Sequence, residues 1–130
     1  MKKFEVLFRG NRFDNADLIE GFYFVHGVSH YIKNNGNYEV VPESIGMFTG
    51  EVDCNKEKIF GSIPINGEMS KGGDEIAIYS ADGEEFEYSK VEFKEGGFIV
   101  EADFGDFDQT TIGWANLLSY KIEITKKGML

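Results

Sequence analysis

Along most of this chain the apolar residues recur at every second position, and that alternation commits it to strands gathered into sheets. Phe4, Val6 and Phe8 alternate with Lys3, Glu5 and Arg9, although Leu7 blurs the polar side. Phe98, Val100, Ala102 and Phe104 alternate with Glu101 and Asp103, and Tyr120, Ile122 and Ile124 with Lys121, Glu123 and Thr125. Side chains of a strand point in turn to its two faces, so each segment reads as a half-buried strand. Leu18 to Val25 differs, because only Glu20 and Gly21 interrupt its apolar run. It predicts a more central strand covered on both faces.

The turns between these runs are written in glycine and asparagine. His30–Lys33 and Tyr38–Val41 flank Asn34-Asn35-Gly36-Asn37, where an Asn-Gly pair tolerates the positive φ of a tight hairpin. Pro42 lacks a ladder donor and ends the fourth strand. Ile45 to Val52 predicts a strand, followed by a polar turn at Asp53 to Glu57. Ile59 to Ile65 is apolar but broken by Gly61 and Pro64, and Asn66-Gly67 and Lys71-Gly72-Gly73-Asp74 read as turns. Ile76–Tyr79 and Phe86–Phe93 are strands joined through Asp82-Gly83. Phe86 and Tyr88 lie in one phase and Val91 and Phe93 in the other, which predicts a β-bulge near Ser89-Lys90. Trp114, Leu117 and Leu118 have helical spacing, so residues 110–119 are the place for one short helix. The expected class is mainly β, built from hairpins.

A chain of 130 residues is one ordinary domain or two tightly packed lobes, large enough to bury a core without staples. Its single cysteine, Cys54, allows no internal disulfide and fits a reducing compartment. No apolar stretch follows the N-terminal lysines as a secretory signal would, and no run is long enough for a spanning helix. The formal net charge is −10. Residues 1–60 carry 7 Lys/Arg against 9 Asp/Glu, and residues 61–130 carry 6 against 14. Acidity of this size disfavours nucleic acid and anionic membranes as partners. It leaves open a local basic surface around Lys2, Lys3, Arg9 and Arg12.

Several separated segments resemble the YopX family of phage and prophage proteins. They are Phe8-Arg9-Gly10-Asn11-Arg12 with Asp14-Asn15, Gly21-Phe22-Tyr23-Phe24, and His30-Tyr31-Ile32. The strongest is Val41-Pro42-Glu43-Ser44-Ile45-Gly46-Met47-Phe48-Thr49-Gly50, continued by Asp53, Lys56, Lys58, Ile59 and Phe60. Val91 to Phe98 adds a further piece. After Phe60 the chain departs from the family's wording: Gly61-Ser62-Ile63 stands where Glu-Gly-Asp-Ile is usual, and Gly72-Gly73-Asp74-Glu75-Ile76 is the displaced equivalent. The resemblance implies a phage origin, one YopX-like domain over 1–130, and a location in the cytoplasm of the bacterial host. It implies a β-meander lobe (1–56) packed on a small SH3-like barrel (57–130). It carries no established activity and no catalytic residue.

The residues offer no reaction of their own. Gly72-Gly73-Asp74-Glu75-Ile76 echoes the signature turn of diguanylate cyclases, but a long α/β domain would have to surround it, so a surface turn is expected. His26 and His30 flank the turn Gly27-Val28-Ser29 and are expected to face each other across a hairpin, with no further ligand to complete a zinc set. Asp103-Phe104-Gly105 lacks every companion of the kinase triplet, and Ser62 lies in no nucleophile elbow. Cys54 sits among carboxylates that disfavour its thiolate. Phe22, Tyr23 and Phe24 interleave with no Lys or Arg, which favours core packing over base stacking. No cofactor and no metal is expected.

The expectation is therefore a non-enzymatic phage accessory protein that binds or self-assembles. Its partner would be a host or phage protein, or a second copy of itself. Residues 74–108 hold 12 acidic residues against Lys90 and Lys94, so a DNA-mimicking inhibitor of a host DNA-binding protein is the alternative. A small barrel that binds nucleic acid is the other. The candidate interaction surface comprises Arg9, Arg12, Glu101, Asp103, Asp106, Asp108 and Trp114.

Overall fold

The computed structural model describes residues 6–80, 82–84, 86–100, 110–111 and 121–128. Strand β1 (Phe8–Asn11) turns through Ala16, at φ 63°, into β2 (Leu18–His26). A two-residue turn at Gly27-Val28 leads to β3 (Ser29–Lys33), and the expected Asn-Gly hairpin to β4 (Asn37–Glu39). Asn35 and Gly36 take φ of 54° and 155°, values open to these residues at little steric cost. A 3-10 turn with Pro42 at its start precedes β5 (Gly46–Val52), which pairs with β6 (Lys58–Ser62). The small hairpin β7 (Pro64–Ile65) and β8 (Glu68–Met69) closes on Asn66-Gly67.

The second half adds β9 (Glu75–Tyr79), β10 (Phe86–Lys90), β11 (Glu92–Lys94), β12 (Gly97–Val100), β13 (Thr110–Thr111) and β14 (Lys121–Lys126). Nine strands form one sheet in the order β13-β12-β11-β6-β5-β1-β2-β3-β4, and three form another, β10-β9-β14. Among the described residues β6–β11 is the single parallel pair. The molecule is mainly β as expected, but its sheets are not closed, and a small SH3-like barrel is not shown. The nine-stranded sheet runs without a break from the first half into the second.

Two cores hold the sheets. Ile76, Ile78 and Ile122 of the three-stranded sheet pack against Ile59, Val91 and Val100. The second core, Ile32, Val40 and Ile45, is flanked by Phe8, Ile19 and Tyr23. Around it the β1–β4 end of the large sheet curls until Arg12 bridges Val40. Val41 N–H donates to Asn11 and Phe13 N–H to Glu39, both over 2.9 Å. Curling encloses one face of β2 and leaves the other open. Phe22 is 65% exposed and Leu18 is also exposed, so β2 is central in pairing but covered on one face, not two.

Two further expectations change. No bulge lies at Ser89-Lys90, because β10 pairs regularly with β9 as far as Lys90 opposite Glu75. The phase slip marks a change of sheet. Val91 N–H donates to Asp74 O, and Val91 O accepts from Ser62 N–H, so β11 begins on the nine-stranded sheet. Register shifts occur instead in β5, between Phe48 and Val52, where Gly50 takes φ 86°, and in β14, between Ile124 and Lys126. Thr110-Thr111, the start of the expected helix, pairs with β12 as strand; residues 112–119 lie outside the described set.

Buried Asp53 fastens β14 to the first half. Its Oδ1 accepts from Asn55 and Glu57 N–H, its Oδ2 from Ile124 N–H at 3.1 Å, and the adjacent Cys54 N–H donates to Ile122 O. Among the described residues no helix is long and apolar enough to cross a membrane.

Candidate functional site

The structure redistributes the residues singled out from sequence. Arg9 is interior, not surface: it is 2% exposed and bridges Asp74 Oδ1, itself fully buried, at 2.5 Å. It also donates to Gly72 O and lies 4.3 Å from the Phe60 ring centroid. Gly72-Gly73-Asp74 is correspondingly no surface turn. Its backbone threads between the 3-10 turn, β6 and Val91, and Asp74 anchors Arg9, Phe60 N–H and Gly128 N–H.

Arg12 is partly exposed but spent. Its Nε and Nη2 donate to both oxygens of Asp14 at 3.0 and 2.7 Å, and it stacks over Tyr38. That hydrogen bonding holds the Asp14 carboxyl below its usual range. Glu101, Asp103, Asp106, Asp108 and Trp114 lie outside the described residues.

The two histidines do not face each other. Across the hairpin His26 meets Ser29, and His30 meets Val25. A shift of one residue reverses the face, so His26 is exposed while His30 is buried. His30 Nδ1 lies 2.7 Å from the Tyr23 hydroxyl, and burial pushes the Tyr23 phenol up. Among the described residues no three metal-ligating side chains converge.

What the structure does assemble is a face that sequence reasoning missed. Cross-strand register fixes it: Ile76, Ile78 and Ile122 point into the core, so Tyr79, Phe86, Tyr88 and Lys90 point out. Phe86 is 51% and Tyr88 68% exposed. The rings form a line, Tyr79 to Phe86 at 5.5 Å and Phe86 to Tyr88 at 5.6 Å between centroids. Lys121 Nζ closes one end, 5.1 Å from the Tyr79 ring centroid. At the other end Lys90 borders two clefts. One, of about 200 Å³, runs between Tyr88, Lys94 and Ile99. The other, of about 350 Å³, lies over Gly73 between Lys71, Lys90 and Lys126.

Residues 61–130 contain six lysines and no arginine. Five of them, Lys71, Lys90, Lys94, Lys121 and Lys126, border this face, with Glu75, Glu92 and Glu123 among them. The sixth, Lys127, pairs with Glu57. Among the described residues no carboxylate is within ion-pair distance of Lys90, Lys121 or Lys126. Lys71 pairs with Glu43 at 4.0 Å and Lys94 with Glu92 at 3.4 Å, so three of the five lysines lack a described carboxylate partner. The alternation Phe86, Tyr88, Lys90 was visible in the sequence as one strand face. That it looks outward depends on strands β9 and β14.

Compared with family models, with curated proteins and with solved structures, the chain matches none. The reading of the face therefore stands on its geometry.

Proposed function

We propose that the chain is a non-enzymatic binding module whose binding face is the outer side of the β10-β9-β14 sheet with its lysine-bordered clefts. One observation carries this reading: five lysines of an acidic chain lie around a line of rings that leaves Phe86 and Tyr88 half or more in solvent. Exposed large apolar side chains in one patch mark binding sites far more often than chance surface composition. The YopX resemblance would make such a module a phage accessory protein working in the bacterial cytoplasm. We keep the small-barrel reading of residues 57–130 as part of this proposal, supported by the packing of Ile76, Ile78 and Ile122 across from Ile59, Val91 and Val100.

Affinity capture from bacterial lysate checks it. The set of molecules retained by the tagged chain is expected to shrink when Tyr88→Ala and Lys90→Glu are combined. A set unchanged by that pair would remove the face from consideration.

Self-assembly is a second reading, favoured by the open side of β2. Leu18, Phe22 and Phe24 alternate onto one side, with Tyr31 stacked on Phe24 at 5.2 Å. Light scattering at micromolar concentration is expected to give more than one copy per particle, reverting to one with Phe22→Ser. A monomer in both proteins would sink the idea.

A further inference from the structure

We infer that the ligand of this face is a short segment of single-stranded nucleic acid. The inference rests on the binding-module reading and names its ligand. Unpaired bases present flat apolar faces at the spacing of a charged backbone, and proteins hold them by stacking on rings beside a cationic track. Both parts are present here. Phe86 and Tyr88 offer ring surface that no described residue covers, and Lys90 follows Tyr88 on the same side of β10. From Lys90 the cleft continues past Lys126 to Lys71, over Gly73.

Charge sets the direction of the track. At the Tyr79–Phe86 end the chain turns through Asp82 and Glu84, and the Ser80 hydroxyl bond keeps the Asp82 carboxyl below its usual range, hence ionised. Lys121 is the one cation described at that end, while Lys90, Lys126 and Lys71 outnumber Glu75 and Glu92 in the cleft, so a phosphate chain is drawn toward the cleft. Bases would sit on Phe86 and Tyr88 and phosphates in the cleft. The overall charge of −10 opposes long-range attraction, so binding depends on short-range contacts and falls steeply with salt.

Fluorescence anisotropy with labelled oligothymidylate and oligouridylate of about twelve nucleotides tests this, a length within the range that one β-barrel-sized site covers. Binding is expected at low salt, weakening about a hundredfold between ~20 and ~200 mM if some three phosphates are neutralised. Tyr88→Ala and Phe86→Ala are each expected to weaken it about tenfold, as loss of one stacking ring does. Lys90→Gln with Lys126→Gln should flatten the salt dependence, and Phe13→Ala, an exposed ring beside β4, should leave binding unchanged. All these side chains are at the surface, and thermal melts confirm that the variants fold.

The inference is overturned by no binding at ~20 mM salt. It is equally overturned by binding that ignores both ring variants, by equal affinity for duplex, or by mononucleotides competing as well as the oligomer. If oligonucleotides fail while the Tyr88→Ala, Lys90→Glu chain still loses its lysate partners, the binding face survives and only its ligand is wrong.

Discussion

Asp74→Ala is expected to lower folding stability by about 4 kcal/mol, enough to leave a domain of ordinary stability barely folded. The Asp74 carboxylate is fully buried and serves three donors: Arg9 Nη2 at 2.5 Å, Phe60 N–H at 2.8 Å and Gly128 N–H at 3.2 Å. Removing it strands the Arg9 cation in the interior, where the Gly72 carbonyl and the Phe60 ring are its described remaining partners. An uncompensated buried charge costs about 3–5 kcal/mol, and the freed Phe60 amide adds to that.

Arg9→Met should cost less, about 3 kcal/mol, because Asp74 keeps both backbone donors. Denaturant titration reads both. A lowered midpoint at unchanged slope is expected for each, and a loss below about 1 kcal/mol for Asp74→Ala would show the pair behaving like an exposed one.

Alanine at Gly72 or Gly73 is expected to destabilise by about 3 kcal/mol or more, the upper end of overpacking, through steric conflict alone. A Cβ on Gly72 would lie 2.1 Å from Ser44 O and 2.4 Å from Ile45 C. One on Gly73 would lie 2.3 Å from Ser62 N and 2.5 Å from Val91 O. These are backbone atoms of the crossing itself, held where Ser70 Oγ donates to Ile45 O and Ser62 N–H donates to Val91 O, so they do not swing aside.

Gly67→Ala is the control. Gly67 has φ +83° but open space around it, so only the left-handed backbone penalty of about 1–2 kcal/mol applies. If Gly73→Ala melted no lower than Gly67→Ala, the close crossing would be refuted.

Together these contacts explain why residues 72 and 73 are both glycine. Segment 70–74 passes under the 3-10 turn and beside β6. Ser70 N–H donates to Ile63 O, Asp74 N–H to Phe60 O, and Lys71 N–H to Glu43 O. Two glycines let it pass, and one aspartate fixes it. In sequence Lys71-Gly72-Gly73-Asp74 reads as a solvent turn, because glycine beside a charged residue marks both situations equally. The lysine and ring face was hidden for a related reason. Lys71, Lys90, Lys121 and Lys126 are scattered over half the chain and look like ordinary solvated charges.

Strand alternation and the turns at Asn35-Gly36 and Asn66-Gly67 were determined by sequence alone. They depend on φ preferences and on side chains one or two positions apart, and the chain carries that information locally. Only the tertiary structure decided that Arg9 is interior, that the slip after Lys90 is a change of sheet, and that one face of β2 stays open. It also decided that Lys90 and Lys94 share a cleft with Tyr88, and that Lys71 and Lys126 share another with Lys90. Each of these rests on partners brought together from distant parts of the chain, 65 residues apart for Arg9 and Asp74. No local preference encodes such a meeting. The cost of burying a charge or a second Cβ is felt only once the sheets have closed around it.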